Sequence, residues 1–225
     1  MDLNYNTFER LSPIERIEAS IEAAPNNIIV STSFGIQSAA MLHMVTSIKN
    51  DIPVIFIDTG YMFPETYNFA DFLIKKLKIN VFVYRSDISP AWQECRYGRL
   101  WEKDKKHMEL YNKINKVDPM SKAIQDFQAE IWISGIRKEQ SENRSNKTVI
   151  EKLDSYQKIY PILDWNNRDV HDYLKKNNLP YHPLWQKGYV SVGDHHSTKS
   201  LHEVDDELET RNNGHSRECG LHETK

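Results

Sequence analysis

Ile28-Ile29-Val30-Ser31-Thr32-Ser33-Phe34-Gly35-Ile36-Gln37-Ser38 runs from an apolar, β-branched stretch through three hydroxyl residues and a glycine into an amphipathic segment. The apolar part predicts a strand buried on both faces, and Ile36 to Ile48, with Ala40, Met44 and Ile48 at helical spacing, predicts the helix that follows. A strand-to-helix turn of this composition is an anion cradle: hydroxyls at Ser31 and Ser33, close backbone approach at Gly35, and N–H groups at a helix start. Phe34 sits within the same turn. The turn lacks both the Walker lysine and the G-x-G-x-x-G pattern, so it is neither an ordinary P-loop nor a Rossmann dinucleotide site. Serine and threonine also cap helices, and the turn alone leaves both readings open.

The alternation continues outward. Val54-Ile55-Phe56-Ile57, Val81-Phe82-Val83-Tyr84 and Ile131-Trp132-Ile133 are further apolar runs that read as strands buried on both faces. Between the first two lies a helical pattern from Glu65 to Leu77, and an earlier helix is announced by Ser12-Pro13-Ile14-Glu15, a capping box with proline at the first helical position. Strand and helix in turn imply an α/β fold, a parallel sheet flanked by helices. We divide the chain into a nucleotide-binding α/β domain over 1–200, whose N-terminal helix region occupies about 1–25, and a flexible tail over 201–225 with seven acids, three bases and scattered apolar positions.

Composition excludes several classes. With 29 basic and 32 acidic residues in 225, the net charge of −3 supplies no global field for nucleic acid. No run of 18 apolar residues suggests a membrane span, and the first residues lack a secretory pattern, so a cytoplasmic protein is expected. Two cysteines are too few for a disulfide framework. Cys219 stands in Arg217-Glu218-Cys219-Gly220-Leu221-His222, a polar tail, where neighbouring Arg217 and His222 favour the reactive thiolate. Cys95, in Trp92-Gln93-Glu94-Cys95-Arg96-Tyr97, reads as a packed helical thiol. The late histidines His195, His196, His202, His215 and His222 match no zinc spacing and read as polar loop residues, so no metal is expected.

Further anion ligands are sought at the carboxyl edge of the sheet. Asp58-Thr59-Gly60 ends the second strand and could serve ribose, base or merely a helix cap. Arg137 and Arg144 follow the strand ending near Gly135, and guanidinium groups suit anions through bidentate hydrogen bonds. Lys116, Arg137 and Arg144 could equally belong to solvated loops.

Taken together, Ser31-Thr-Ser-Phe-Gly-Ile-Gln, Asp58-Thr-Gly-Tyr-Met-Phe-Pro-Glu-Thr-Tyr, Arg137-Lys-Glu-Gln-Ser, Tyr181-His-Pro-Leu-Trp, Gly188-Tyr-Val-Ser-Val-Gly-Asp and Arg217-Glu-Cys-Gly-Leu-His resemble the phosphoadenylyl sulfate reductase family, in order from roughly residue 28 to 222. The resemblance implies an adenine nucleotide alpha hydrolase-like fold and reduction of 3′-phosphoadenylyl sulfate to sulfite and adenosine 3′,5′-bisphosphate. It implies thioredoxin, or glutaredoxin, as electron donor, an S-sulfocysteine on Cys219, a role in assimilatory sulfate reduction and a homodimer. Ser33 and Gly35 would hold the phosphate or sulfate part, Asp58, Thr59 and Gly60 would sit near the nucleoside, and Lys116, Arg137, Arg144 and Arg211 would clamp anions. Arg168 is a further candidate for the 3′-phosphate. A related branch carries an iron–sulfur cluster on four cysteines; the matching positions here are Tyr111, Asn112, Asp194 and Ser197, so no cluster and no bound cofactor are expected. An adenylyl sulfate reductase without a cluster and an adenylating ATP pyrophosphatase are the rival readings; the latter needs no tail cysteine.

Overall fold

A computed structural model describes residues 5–211 and Leu221. A short helix α1 (Tyr5–Phe8) precedes α2 (Pro13–Ala23), which starts as the sequence predicts: Ser12 N–H donates to Glu15 Oε2 at 2.7 Å and Pro13 occupies the first turn. Arg16 of α2 is buried, and its guanidinium donates to the carbonyls of Phe8 and Pro161 and to the Asp164 carboxylate. A buried guanidinium needs such a full set of acceptors. It ties the N-terminal helices to the body.

Then β1 (Ile28–Thr32), α3 (Ser38–Ile48), β2 (Pro53–Ile57), α4 (Pro64–Leu77) and β3 (Asn80–Tyr84) alternate. Next come α5 (Pro90–Tyr97), α6 (Lys105–Asn112) and α7 (Asp118–Asp126), with a π-helical turn, Lys113–Val117, joining the last two. The chain closes with β4 (Ile131–Ser134), β5 (Ile150–Lys152), β6 (Gln157–Ile159) and α8 (Asn167–Lys176). The sheet order is β3-β2-β1-β4-β6-β5, and every pairing is parallel except β5 with β6. β1 is central, with Val30 beside Val54 on one side and Ile133 on the other.

Successive strand residues point to opposite faces, and both faces are covered. Ile28, Val30, Val54, Phe56 and Ile133 pack with residues of α2, α3, α4 and α8. Ile29, Ile55, Ile57 and Trp132 pack with Met120 and Ala123 of α7. β3 departs from the expected burial: it is the sheet edge, Val83 is 57% exposed, and Phe82 is partly covered by Phe127, 4.8 Å away between centroids. Its apolar composition reflects pairing with β2, not cover on both faces.

The segment from 201 onward is not uniform. Lys199 N–H donates to Thr210 O at 2.9 Å, Thr198 bridges Arg211, and Thr210 is fully buried, so 201–211 are bound to the body. Leu221 packs against the Trp132 side of the sheet, where Lys158 Nζ donates to its carbonyl at 2.9 Å. Cys219, Arg217, His215 and His222 lie outside the described residues. Among the described residues no helix is long and apolar enough to cross a membrane.

Candidate functional site

A cleft of about 390 Å³ opens at the carboxyl ends of β1 and β4. Its floor is the first turn: Ser31, Thr32, Ser33, Gly35 and Gln37 line it, with Ser38 at the start of α3. α3 begins without a side-chain cap, and Ser38 Oγ is buried without a hydrogen-bond partner. The hydroxyls of this turn therefore do not serve as helix caps, which favours the cradle reading over the capping one. Ser31 Oγ accepts from Trp132 Nε1 at 2.7 Å, so Ser31 braces the turn against β4. Phe34 is not on the wall: its φ of 48° turns the ring into the core, edge-on to Phe56. That left-handed residue is what aims Ser33 and Gly35 outward.

The second turn divides. Thr59 lines the cleft, whereas Asp58 and Gly60 do not. The Asp58 carboxylate accepts from Gly60 N–H at 2.9 Å and from Tyr67 Oη–H at 2.7 Å, and so holds the turn. Gly60 has φ 75°, and a side chain there would collide with Pro90 of α5. These two residues brace the turn that carries Thr59.

Four cations line the cleft, Lys116, Arg137, Arg144 and Arg211, against three carboxylates, Glu139, Asp194 and Glu207. The excess is small, so how each cation is held decides its use. Arg137 is buried; its Nη2 donates to Gln37 Oε1 at 2.6 Å and to Asn167 Oδ1 at 2.9 Å, and its Nη1 to Glu139 at 3.4 Å. Burial pushes its pKa below the ordinary arginine value. Arg144 donates to Gln140 Oε1. Arg211 reaches Ser191 Oγ at 2.9 Å and lies flat against Gly193, where a methyl group would overlap the guanidinium. Arg168, by contrast, has a side chain 89% exposed and sits 3.8 Å from Asp172; it is not on the wall.

Lys116 is 7% exposed, contrary to a solvated loop, and projects from the π-helical turn. π turns recur at functional sites because the extra residue re-aims side chains. Its Nζ lies 2.8 Å from Asp194 Oδ2 and 3.1 Å from Asn112 Oδ1, above the Tyr111 ring. Asp194 is fully buried. Burial opposes its ionisation, but the Lys116 charge and hydrogen bonds from Lys116 and Thr59 outweigh that and hold its pKa well below the carboxylate range. Thr59 Oγ–H donates to Asp194 Oδ1 at 2.5 Å, which commits the hydroxyl proton and leaves Thr59 no donor for a ligand. Tyr111, Asn112 and Asp194, three of the four positions that the resemblance sets against cluster cysteines, thus meet around one ammonium.

His196 is not a polar loop residue, whereas its neighbour His195 is exposed. His196 stacks on Trp101 at 3.9 Å, its Nε2 is 3.2 Å from Tyr111 Oη, and burial lowers its pKa to about 4. Cys95 is exposed on α5; the helix turns Gln93 inward, where it exchanges hydrogen bonds with Asn115, and leaves Trp92 55% exposed beside Arg96. The expectation of a packed thiol is therefore wrong, since the amide pair claims the inner face. Sequence reasoning missed Gln37, Asn167 and Gln140, because neutral amides carry no charge pattern, and it gave Asp194 no binding role.

The phosphoadenosine phosphosulfate reductase domain family matches residues 27–200. A phosphoadenosine 5′-phosphosulfate reductase of Alteromonas mediterranea is 51% identical over 222 residues, covering 99% of this chain and 89% of that protein. One from Salmonella arizonae is 52% identical over 215 residues, 96% of this chain and 88% of that protein. Among solved structures, the phosphoadenylyl-sulfate reductase of Candida auris, a phosphate complex, superposes with a TM-score of 0.74 at 27% identity, over 88% of this chain and 99% of that one. The FMN adenylyltransferase of Candida glabrata, with a TM-score of 0.60 at 16% identity over 88% of this chain and 69% of that one, shares the fold.

Proposed function

The chain belongs to the phosphoadenosine phosphosulfate reductase family, and from that premise we propose that it reduces 3′-phosphoadenylyl sulfate with thioredoxin, through a covalent intermediate on Cys219. The supporting observation is that Arg211 and Leu221, the described residues on either side of Cys219, both line the cleft.

The sulfur of the substrate is shielded by anionic oxygens, so attack by a thiolate needs fixed cations around them. Arg137, Arg144 and Arg211 supply these, and Ser33, Gly35 and the open start of α3 receive a phosphate. In the proposed reaction the Cys219 thiolate forms a bond to sulfur while adenosine 3′,5′-bisphosphate departs as the leaving group. Thioredoxin then contributes two thiols and becomes a disulfide, and sulfite leaves with the electron pair. The enzyme works as a cytoplasmic homodimer without a bound cofactor in this reading, and serves sulfate assimilation.

The test is to incubate pure protein with sulfur-labelled nucleotide and to follow sulfite with and without reduced thioredoxin. One equivalent of label on the protein is expected without thioredoxin, and turnover with it. Cys219→Ser is expected to abolish both while binding adenosine 3′,5′-bisphosphate within about twofold, and Cys95→Ser to remain active. The 3′-phosphate offers the arginines another charge-assisted partner worth about 1.5–3 kcal/mol, so the phosphorylated nucleotide is favoured over adenylyl sulfate by one to two decades. An active Cys219→Ser variant sinks the proposal.

A further inference from the structure

The geometry points to Asp194 as a positioning residue that acts on the substrate only through Lys116. This inference rests on the reductase reading for its activity measurements. Asp194 is fully buried, on a segment whose backbone bridges Met62 and whose next residue, His195, donates its N–H to Tyr61 O at 2.8 Å. It thereby joins three pieces of chain remote in sequence: the end of β2 through Thr59, the π-helical turn through Lys116, and the loop after Gly193. Its two oxygens have different partners. Oδ1 takes the Thr59 hydroxyl; Oδ2 pairs with Lys116 Nζ at 2.8 Å.

A carboxylate aimed into a cleft for a multiply charged anion is unfavourable unless it does something no neutral group could. Here it can keep an ammonium charged inside the protein. The other described groups facing Lys116 are Asn112 and the Tyr111 ring, both neutral, while His196, which also interacts with Asp194, is kept neutral by burial, which lowers its pKa to about 4. Without the Asp194 charge the ammonium is left buried beside neutral groups only, and burial penalises a charge that has no counter-charge. The short Thr59 hydrogen bond fixes the carboxylate, and the carboxylate fixes where the three ammonium protons point. Lys116 touches the substrate; Asp194 does not.

A double-variant cycle with Asp194→Asn and Lys116→Met tests this. Asp194→Asn is expected to lower kcat/KM by about 10- to 100-fold. The loss is expected to fall on kcat more than on KM, because the ammonium stays on the wall of the cleft but loses the group that orients it. The Lys116→Met variant with Asp194→Asn added is expected to match Lys116→Met alone within about twofold, and this arm holds if Asp194→Asn by itself folds poorly, because both charges are gone. A loss confined to KM, or a double variant distinctly worse than Lys116→Met, overturns the proposal. If the wild-type protein releases no sulfite, the reductase reading fails instead; the cycle is then read on the dissociation constant of adenosine 3′,5′-bisphosphate, where additive penalties still overturn the linkage.

Discussion

Arg137 and Lys116 are both buried, both cationic and both on the wall of one cleft, yet their surroundings differ in kind. Arg137 is held by the neutral amides of Gln37 and Asn167, and the carboxylate it approaches, Glu139, is 3.4 Å away and half exposed. Lys116 is held by a carboxylate with no exposure at all. Amides fix a guanidinium without cancelling its field, whereas a buried counter-charge cancels most of it at a distance. The Arg137 region is thus built to attract an anion, and the Lys116 region to direct one that has arrived.

The largest expected effect comes from Arg137→Ala, which removes the uncancelled charge and should raise KM for the phosphorylated nucleotide about 10- to 100-fold. Arg137→Lys should recover little, since one ammonium cannot span Gln37 and Asn167 in the plane of the fork. An effect confined to kcat would break the contrast with Lys116. Gly193→Ala probes a third cation: the new methyl group displaces the Arg211 guanidinium, and product affinity should fall by about tenfold in titration calorimetry. The φ of Gly193 is not in the left-handed region, so an unchanged affinity would mean that Arg211 makes no contact with the nucleotide.

Stability should depend on pH through His182, which is buried, bonds Thr66 Oγ1 at 3.1 Å through Nε2 and accepts from Leu184 N–H through Nδ1. Burial lowers its pKa to about 4 from 6.5. The unfolded chain then binds the extra proton first, so stability is intact above about pH 6.5, falls between 6.5 and 4, and loses no more from this group below that. Urea titrations at pH 7 and 4.5 should differ by up to about 3 kcal/mol, and His182→Gln should shrink the difference. The smallest effect is expected at Asp58→Asn: nucleotide affinity should stay within about threefold, with a modest loss of stability from the Tyr67 bond. A large affinity loss would return Asp58 to the nucleoside.

The central strands and the first turn are legible from sequence because parallel strands buried on both faces need uninterrupted apolar runs, and β1, β2 and β4 have them. β5 and β6 escape that logic: three residues each, reading Ile150-Glu151-Lys152 and Gln157-Lys158-Ile159, they carry too little apolar periodicity to stand out. The hub at Asp194 is hidden for another reason. Its partners are set by tertiary contact, with Thr59 135 positions away, and a buried aspartate looks like any other until the ammonium beside it is seen. Cys95 shows the converse error, since the aromatic residues around it suggest a core that the amide pair of Gln93 and Asn115 occupies instead.

The place of β1 at the middle of the sheet has a kinetic consequence. Its pairing with β2 closes a short segment, but Ile28 meets Ile131 only after about 100 residues of chain, and non-local pairings of that length form late. During synthesis the first three strands and their helices can collapse together while one edge of β1 is still open. The Trp132 bond to Ser31, spanning 101 positions, is made when that edge closes. The binding turn is therefore encoded early and finished late, and Trp132 fluorescence in a refolding experiment should report its completion after most helical signal has returned.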